Sequence, residues 1–329
     1  LLPVLMFKPD VVYLLTTEEE KQCALHLQNV FHNKKITTKI IHGIDAYNGD
    51  TVQGKMLLAL NQQEAEFLVN VTGGTKLMSL AAYQMANERT LPAFYCNTER
   101  KEILWLLPQK RSEALDAKLT IEDYLLAYVY RIKEEKSEKD IADFLNILTV
   151  VERYSLIKSL AEVFENGRKR FADNPPRGAV KSTNGEFRLE KNFDRYILSS
   201  SKYRVSCTIE QSKFNLGSWL EYWTYYQLRY KKNLETKLCV KVVSDNEIEN
   251  EIDCIALKDY VLYLLSCKSG VPDVQKDLFQ IETLRTLMSG TFGKGVLVMA
   301  GSRDDKILEN RALDLKIRLL NCLKEPIEV

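Results

Sequence analysis

Histidine is scarce in this chain. Among 329 residues there are three, His26, His32 and His42, all near the start. A histidine-rich metal site or a Ser-His-Asp triad in the C-terminal half therefore has no histidine to use. The seven cysteines, Cys23, Cys96, Cys207, Cys239, Cys254, Cys267 and Cys322, form no CxxC pair, which argues against a zinc ribbon. Several sit in apolar, strand-like runs such as Leu238–Val243, and their number is odd. They read as buried free thiols of a protein in a reducing cytoplasm. No apolar run is long enough to cross a bilayer. The opening LLPVLMF is short and runs straight into Lys8, Pro9 and Asp10, unlike a signal peptide. It fits a truncated strand or an interface segment, and the lack of an initiating Met implies that the natural N-terminus lies upstream. The formal net charge is only +1, so the total does not announce a nucleic-acid binder. A local basic groove can still sit within a neutral total.

What is present is an ordinary globular balance, 45% hydrophobic and 28% charged residues. The length predicts two domains, or two with a connector. The first hundred residues alternate strand and helix patterns. Strands are expected at Val11–Leu15, Ile36–Ile41, Phe67–Val71, Pro92–Cys96 and Ile103–Leu107, and helices after Thr17, over Val52–Leu60 and over Leu77–Met85. This βαβαβα order predicts a largely parallel, Rossmann-like sheet over residues 1–110. Residues 111–200 are charged and helical in period, over Ile121–Ile132 and Ile141–Phe164. Pro175, Pro176, Gly178, Asn184 and Gly185 then mark a loop. The segment is expected to be a helical connector, with a winged-helix-like module as the alternative. Residues 201–329 read as αβββαβα: helix Leu216–Tyr230, strands Lys237–Val243, Glu251–Leu257 and Val261–Cys267, helix Val274–Met288, strand Gly295–Ala300 and a final helix Ile307–Leu320.

The second and third of these strands carry the chemistry. A tight turn near Lys258–Tyr260 makes them a hairpin. Strand alternation puts Glu251 and Asp253 on one face, and Ser266 and Lys268 on one face. An acid beside a lysine at a sheet edge is what phosphodiester hydrolysis needs. The carboxylate holds Mg²⁺ or Mn²⁺ through hard oxygen ligands, and the lysine orients water and stabilises the transition state. Glu221, in GSWLE, offers a further carboxylate. A lone Asp and Lys on a surface hairpin more often mean solubility or a weak ion pair. Lys276, Arg285, Lys294 and Arg303 are candidates for phosphate contact, although each alone reads as a solvated side chain. Trp219, Tyr222, Trp223, Tyr225 and Tyr226 are expected mostly in the core rather than as a base-stacking platform.

At these residues the chain resembles the PD-(D/E)xK nuclease superfamily. GSWLE, NEID and LYLLSCKSG resemble more closely the nuclease half of CRISPR ancillary nucleases that carry a CARF domain. The resemblance implies a restriction-endonuclease-like α/β domain with Asp253 as metal ligand, Lys268 as catalytic lysine, Glu221 as accessory acid and Gln280 as a polar residue near the site. Ser266 stands where that family has its second acid. Glu221 or Glu251 is expected to supply the missing carboxylate. The competing reading is a ligand-sensing regulator whose nuclease domain is degenerate and inactive.

The other informative segment is Val71–Ser79, VTGGTKLMS. A strand feeds a Gly-Gly turn and then a helix, so exposed N–H groups, the hydroxyls of Thr72 and Thr75 and the charge of Lys76 suit a phosphate or ribose. A tight strand–helix turn with an N-cap threonine fits these residues equally well. VTGGTKLMSLAA resembles the ligand-binding turn of CARF domains, which sense cyclic oligoadenylates in type III CRISPR immunity, and Thr16 and Thr17 match that family's other binding edge. The resemblance thus implies Thr16, Thr17, Thr72, Gly73, Gly74, Thr75 and Lys76 as ligand residues. It implies a homodimer across a two-fold axis, with cyclic tetra-adenylate as activator and DNA as substrate, RNA being the second candidate. Degradation of the activator by the N-terminal domain is a minor reading, because no acid–base pair is evident there.

Overall fold

The computed structural model describes residues 1–61, 65–270, 273–301 and 306–329. They form two compact units, Leu1–Val129 and Tyr130–Val329. No helix among the described residues is long and apolar enough to cross a membrane.

In the first unit the opening apolar stretch is a helix, α1 (Leu2–Phe7), rather than a strand. Pro3 is tolerated because the first helical turn has no N–H partners to lose. Then come β1 (Val11–Leu15), α2 (Lys21–Asn33) and β2 (Thr37–Ile41), with β1 and β2 parallel. Next are α3 (Gly49–Leu60), β3 (Val69–Asn70), α4 (Lys76–Glu88) and β4 (Ala93–Asn97), with β3 and β4 parallel. The remaining strands, β5 (Glu102–Leu107) and β6 (Arg111–Ala114), are antiparallel additions to β4. Their short links cannot make the long crossover that a parallel pair requires. The expected largely parallel sheet is thus two parallel pairs with an antiparallel extension. The unit closes with α5 (Ile121–Ala127), opened by a capping box between Thr120 and Asp123.

The two compact units divide after Val129. β6 and α5 belong to the first unit, and β7 (Tyr130–Lys136) is an edge strand of the second unit's main sheet. Its charged sequence, YRIKEEK, looks helical or solvated in isolation. Paired with β12 (Glu235–Ser244), it matches Glu134 to Lys241 at 2.9 Å and Glu135 to Lys237 at 2.8 Å. Cross-strand charge pairs of this kind stabilise an edge strand. The helical part of the segment is α6 (Ala142–Arg153) and α7 (Ile157–Arg170), broken at Ser155, which has a left-handed φ of 55°. They pack on an antiparallel sheet of β8 (Arg177–Lys181), β9 (Arg188–Asn192), β10 (Arg195–Ser200) and β11 (Val205–Glu210).

The main sheet runs in the order β16-β15-β14-β13-β12-β7. β12, β13 (Glu249–Lys258) and β14 (Val261–Lys268) form an antiparallel meander. α9 (Val274–Ser289) crosses to β15 (Lys294–Met299), and α10 (Lys306–Asp314) crosses to β16 (Ile317–Asn321), both joins being parallel. The expected final helix therefore stops at Asp314. Lys316 takes a left-handed turn, φ 55°, and the apolar residues after it form an edge strand. One face of the sheet lies under α8 (Trp219–Tyr226), whose Trp219, Tyr222, Trp223, Tyr225 and Tyr226 are all buried in a core shared with α6 and α7. Those aromatics are core, not a base-stacking surface. α9 and α10 cover the opposite face, around Leu278, Ile281, Leu297 and Leu308.

Close approach of α9 to the sheet depends on Gly295 in β15. A Cβ built there would lie 2.6 Å from Ile281 Cγ2. Gly295→Ala is expected to lower stability by about 1–3 kcal/mol, the usual cost of overpacking, read as a shifted urea midpoint. An unshifted midpoint would show that α9 can lift freely from the sheet.

Candidate active site and ligand-binding loops

Cys254, Leu265 and Cys267 join the core under α8. Strand alternation therefore turns Asp253, Ser266 and Lys268 toward the α9 face. Ladder pairing of β13 with β14 runs from Lys258 opposite Val261 to Cys254 opposite Leu265, then ends. Beyond that point the strands part and a side chain takes over. Asp253 Oδ2 accepts the Cys267 N–H at 2.7 Å and the Ser266 hydroxyl at 3.1 Å. Ser266, in the position where an acid was expected, is thus a hydrogen-bond donor to the acid opposite it. Burial raises the Asp253 carboxyl above its ordinary value, while the Cys267 N–H, Lys268 and Ser266 pull it down.

Lys268 lies at the end of β14, where its Nζ sits 3.3 Å from Asp277 Oδ1 in the first turn of α9. Asp277 is itself buried and accepts the Asp273 N–H at 2.8 Å. Sequence reasoning missed Asp277, although its place one helical turn after the N-cap Asp273 was a usable signal.

Glu221 enters from the first turn of α8. Its carboxylate accepts the Cys239 thiol at 3.1 Å. Cys239 has a left-handed φ of 48°, and the pairing of β12 with β7 shifts register between Leu238 and Lys241. This bulge turns the thiol toward α8. The Glu221 carboxyl is pushed up to about 7, first by burial and then by the charge of Asp253, against the pull of Cys239, Lys136 and Ser218. Glu221 therefore feels the charge of Asp253. Lys136, which sequence reasoning did not single out, donates to the Tyr222 hydroxyl at 2.9 Å and the Lys213 carbonyl at 3.1 Å. Its charge acts on Glu221 from the β7 edge.

The other expected residues lie further out. Glu251 is exposed, in register with Lys241, and adds charge that raises Asp253. Gln280 and Lys276 are exposed on α9, and Lys294 is exposed at the start of β15. Arg285 is not available for phosphate contact in the same way. It is held by Glu282 at 2.6 Å and by the Gly290 carbonyl at 2.8 Å. Arg303 lies outside the described residues. No group of three or more His, Cys, Asp or Glu side chains suited to a metal ion occurs among the described residues.

In the first unit, loops gather at the carboxyl ends of β1, β2 and β3. The Thr16 N–H donates to the Ile41 carbonyl and the Ile44 N–H to the Thr16 carbonyl, at 3.1 and 3.4 Å. Thr75 donates to the Ala46 carbonyl at 2.5 Å and caps α4 by accepting the Met78 N–H. Thr72 donates to Asn70 Oδ1 at 2.6 Å and accepts the Cys96 N–H at 2.7 Å, tying β3 to β4. Thr16 and Thr17 are buried, with the Thr16 hydroxyl on the Thr17 carbonyl. Gly73, Gly74 and Lys76 remain exposed at the start of α4. The 42–48 loop joins this cluster and was missed. It carries exposed Tyr47 and begins with His42, whose Nδ1 is buried without a partner among the described residues.

Residues 5–124 match the Card1 CARF domain family, and residues 208–325 match the Card1-like endonuclease domain family. No curated protein sequence matches the chain. Among solved structures, Can2 from Sulfobacillus thermosulfidooxidans, in complex with cyclic tetra-adenylate, is similar with a TM-score of 0.69 and 18% identity, covering 98% of this chain and 92% of that one. Protein VC1899 from Vibrio cholerae is similar with a TM-score of 0.71 and 18% identity, covering 97% and 90%. A structure described as a type III CRISPR defence DNA nuclease activated by cyclic oligoadenylate gives a TM-score of 0.56 at 17% identity, covering 92% of this chain and 44% of that one. At these identities the likeness is one of fold.

The raised Glu221 carboxyl has a consequence for stability. Its folded value of about 7 exceeds the ordinary 4.5, so folding favours the protonated form. The penalty is absent at acid pH, grows as pH rises above 4.5 and is complete above about 7. Glu221→Gln is expected to stabilise the metal-free protein by up to about 3 kcal/mol above neutral pH, and the gain should vanish toward pH 4.5. Melting curves in EDTA across that range would read it. A gain independent of pH would contradict the assignment.

Proposed function

Because the chain carries a Card1 CARF domain followed by a Card1-like endonuclease domain, we propose that it is a metal-dependent nuclease switched on by a cyclic oligoadenylate. The observation that carries this reading is the half-buried Asp253, fixed by Ser266 and the Cys267 N–H, with the Lys268–Asp277 pair at the end of β14 and the Asp253 charge acting on Glu221. A half-buried carboxylate raised by burial and by the charge of a second one is unfavourable as an anion unless a cation relieves it. The hard oxygens of the two fit Mg²⁺ or Mn²⁺, which commonly take one or two protein carboxylates and fill the remaining positions with water and substrate phosphate. Glu221 and Asp253 would hold the ion. When bound, it supplies an acidified water and offsets charge developing on the phosphate.

The remaining roles belong to the chain. Ser266 and the Cys267 N–H fix the rotamer of Asp253. Asp277 holds the Lys268 ammonium at the end of β14, where it orients the attacking water and stabilises the phosphorane-like charge. This use of Ser266 favours an active site over a degenerate one. In this reading Glu221 stands in for the acid that the PD-(D/E)xK pattern has at the Ser266 position. Glu251 adds its charge to the site through Asp253, and Gln280 is the exposed polar candidate on α9.

The CARF unit presents the exposed N–H groups of Gly73 and Gly74 and the Lys76 charge, an arrangement suited to the phosphates of a cyclic oligonucleotide. Thr16, Thr17, Thr72 and Thr75 shape this cradle through the bonds that their hydroxyls make within it. Can2, of similar fold, is described in complex with cyclic tetra-adenylate, and we take that ring as the activator here. A two-fold ring suits a homodimer. It activates by binding the cleaving state better than the resting one. The substrate is DNA, with RNA as the second candidate.

Cleavage of supercoiled plasmid, single-stranded DNA and RNA with Mn²⁺ or Mg²⁺, with and without cyclic tetra-adenylate, tests the reading. Asp253→Asn is expected to lose roughly 10²-fold or more of the activity, while keeping the ligand-induced rise in melting temperature. Lys76→Glu is expected to lose that rise. Activity unchanged in Asp253→Asn would exclude this centre.

A further inference from the structure

α7 ends on three basic residues, Arg168, Lys169 and Arg170. Lys169 pairs with Glu165 on the surface at 2.7 Å, and Arg170 is exposed. Arg168 turns inward. Its Nη2 donates to the Ser269 carbonyl at 2.7 Å and its Nη1 to the Ser269 hydroxyl at 3.1 Å. Ser269 directly follows Lys268. The Lys268 carbonyl is still held by the Ala300 N–H at 3.2 Å, so the guanidinium takes over where the ladder ends.

A second segment meets the same serine. Gly217 lies in the turn that launches α8, and a Cβ built on it would sit 3.0 Å from Ser269 Oγ. Asn215 Oδ1 shapes that turn by accepting the Gly217 and Ser218 N–H groups at 2.7 and 3.0 Å. Gly270 also faces Arg168, and a Cβ there would lie 3.4 Å from Nη1. Thus one guanidinium, the residue after Lys268, and the turn that carries Glu221 into place converge.

We propose that Arg168 is a positioning residue of the nuclease centre. It clamps Ser269 and thereby holds Lys268 in register with the helix that bears Glu221. The inference rests on the nuclease reading above, and it gives the α6–α7 segment a role in that reaction. The two bonds need the planar fork of arginine, because a lysine ammonium cannot span the carbonyl and the hydroxyl in the same geometry. Misplacement of a reacting group by about 1 Å is enough to cost roughly 10²-fold in rate.

The test compares full-length wild type, Arg168→Ala, Arg168→Lys and Asp253→Asn under conditions where the wild type cleaves. Arg168→Ala is expected to lower kcat roughly 10- to 100-fold, with KM and melting temperature close to wild type. Arg168→Lys should fall nearly as far. Millimolar guanidinium should restore part of the kcat of Arg168→Ala and none of Asp253→Asn. Full kcat in Arg168→Ala, a rise in KM alone, or a loss that follows a fall in melting temperature would overturn the proposal. If the wild type cleaves nothing, the nuclease reading fails separately. Amide exchange over residues 268–270 then decides the clamp: faster exchange in Arg168→Ala supports it, and unchanged exchange overturns it.

Discussion

Where β13 and β14 part, the Asp253 carboxylate takes the Cys267 N–H in place of a strand partner. Much of the nuclease unit depends on that exchange. It satisfies a backbone donor that would otherwise be orphaned in the interior. It also brings a carboxylate into an enclosed position that no isolated anion would choose. Ser266 completes the bond set, and Lys268, two residues on, lies on the same face. The opening between the strands is therefore where the proposed chemistry would sit.

The two faces of the sheet then divide the work. The α8 face is a thick aromatic and aliphatic core, with Phe164 and Trp219 stacked 6.1 Å apart, and it delivers Glu221 from a buried helix. The α9 face is thinner and delivers Asp277, which anchors Lys268. Rigid packing on both sides suits a site whose like charges push apart. The strain shows in Glu221, whose carboxyl rises to about 7. In the proposed function, stability and activity oppose each other at that residue, as is common where charge is gathered for catalysis.

The legibility of the site followed sequence distance. Asp253 and Lys268 were readable because a hairpin and a period of two bring them together from 15 residues' separation or less. The Gly-Gly turn was readable because strand, turn and helix are contiguous. Ser266 stood out in sequence as a departure from the family pattern, and its bond to Asp253 is visible only in three dimensions. Arg168 and Ser269 are 101 residues apart, and Lys136 and Tyr222 are 86 apart, so no local pattern joins them. β7 was hidden because its charges resemble a solvated helix until β12 supplies their partners. β16 was hidden because its five residues follow a helix after only a short turn.

The proposed function stands or falls with Glu221 and Asp253 holding one cation between them. Calorimetric titration of Mn²⁺ into the metal-free wild type, Glu221→Gln and Asp253→Asn tests it most directly. Saturable binding is expected in the wild type, strengthening as pH rises toward and above 7, with loss of that binding in either variant. Binding that survives Glu221→Gln unchanged would contradict it and leave Asp253 without its partner.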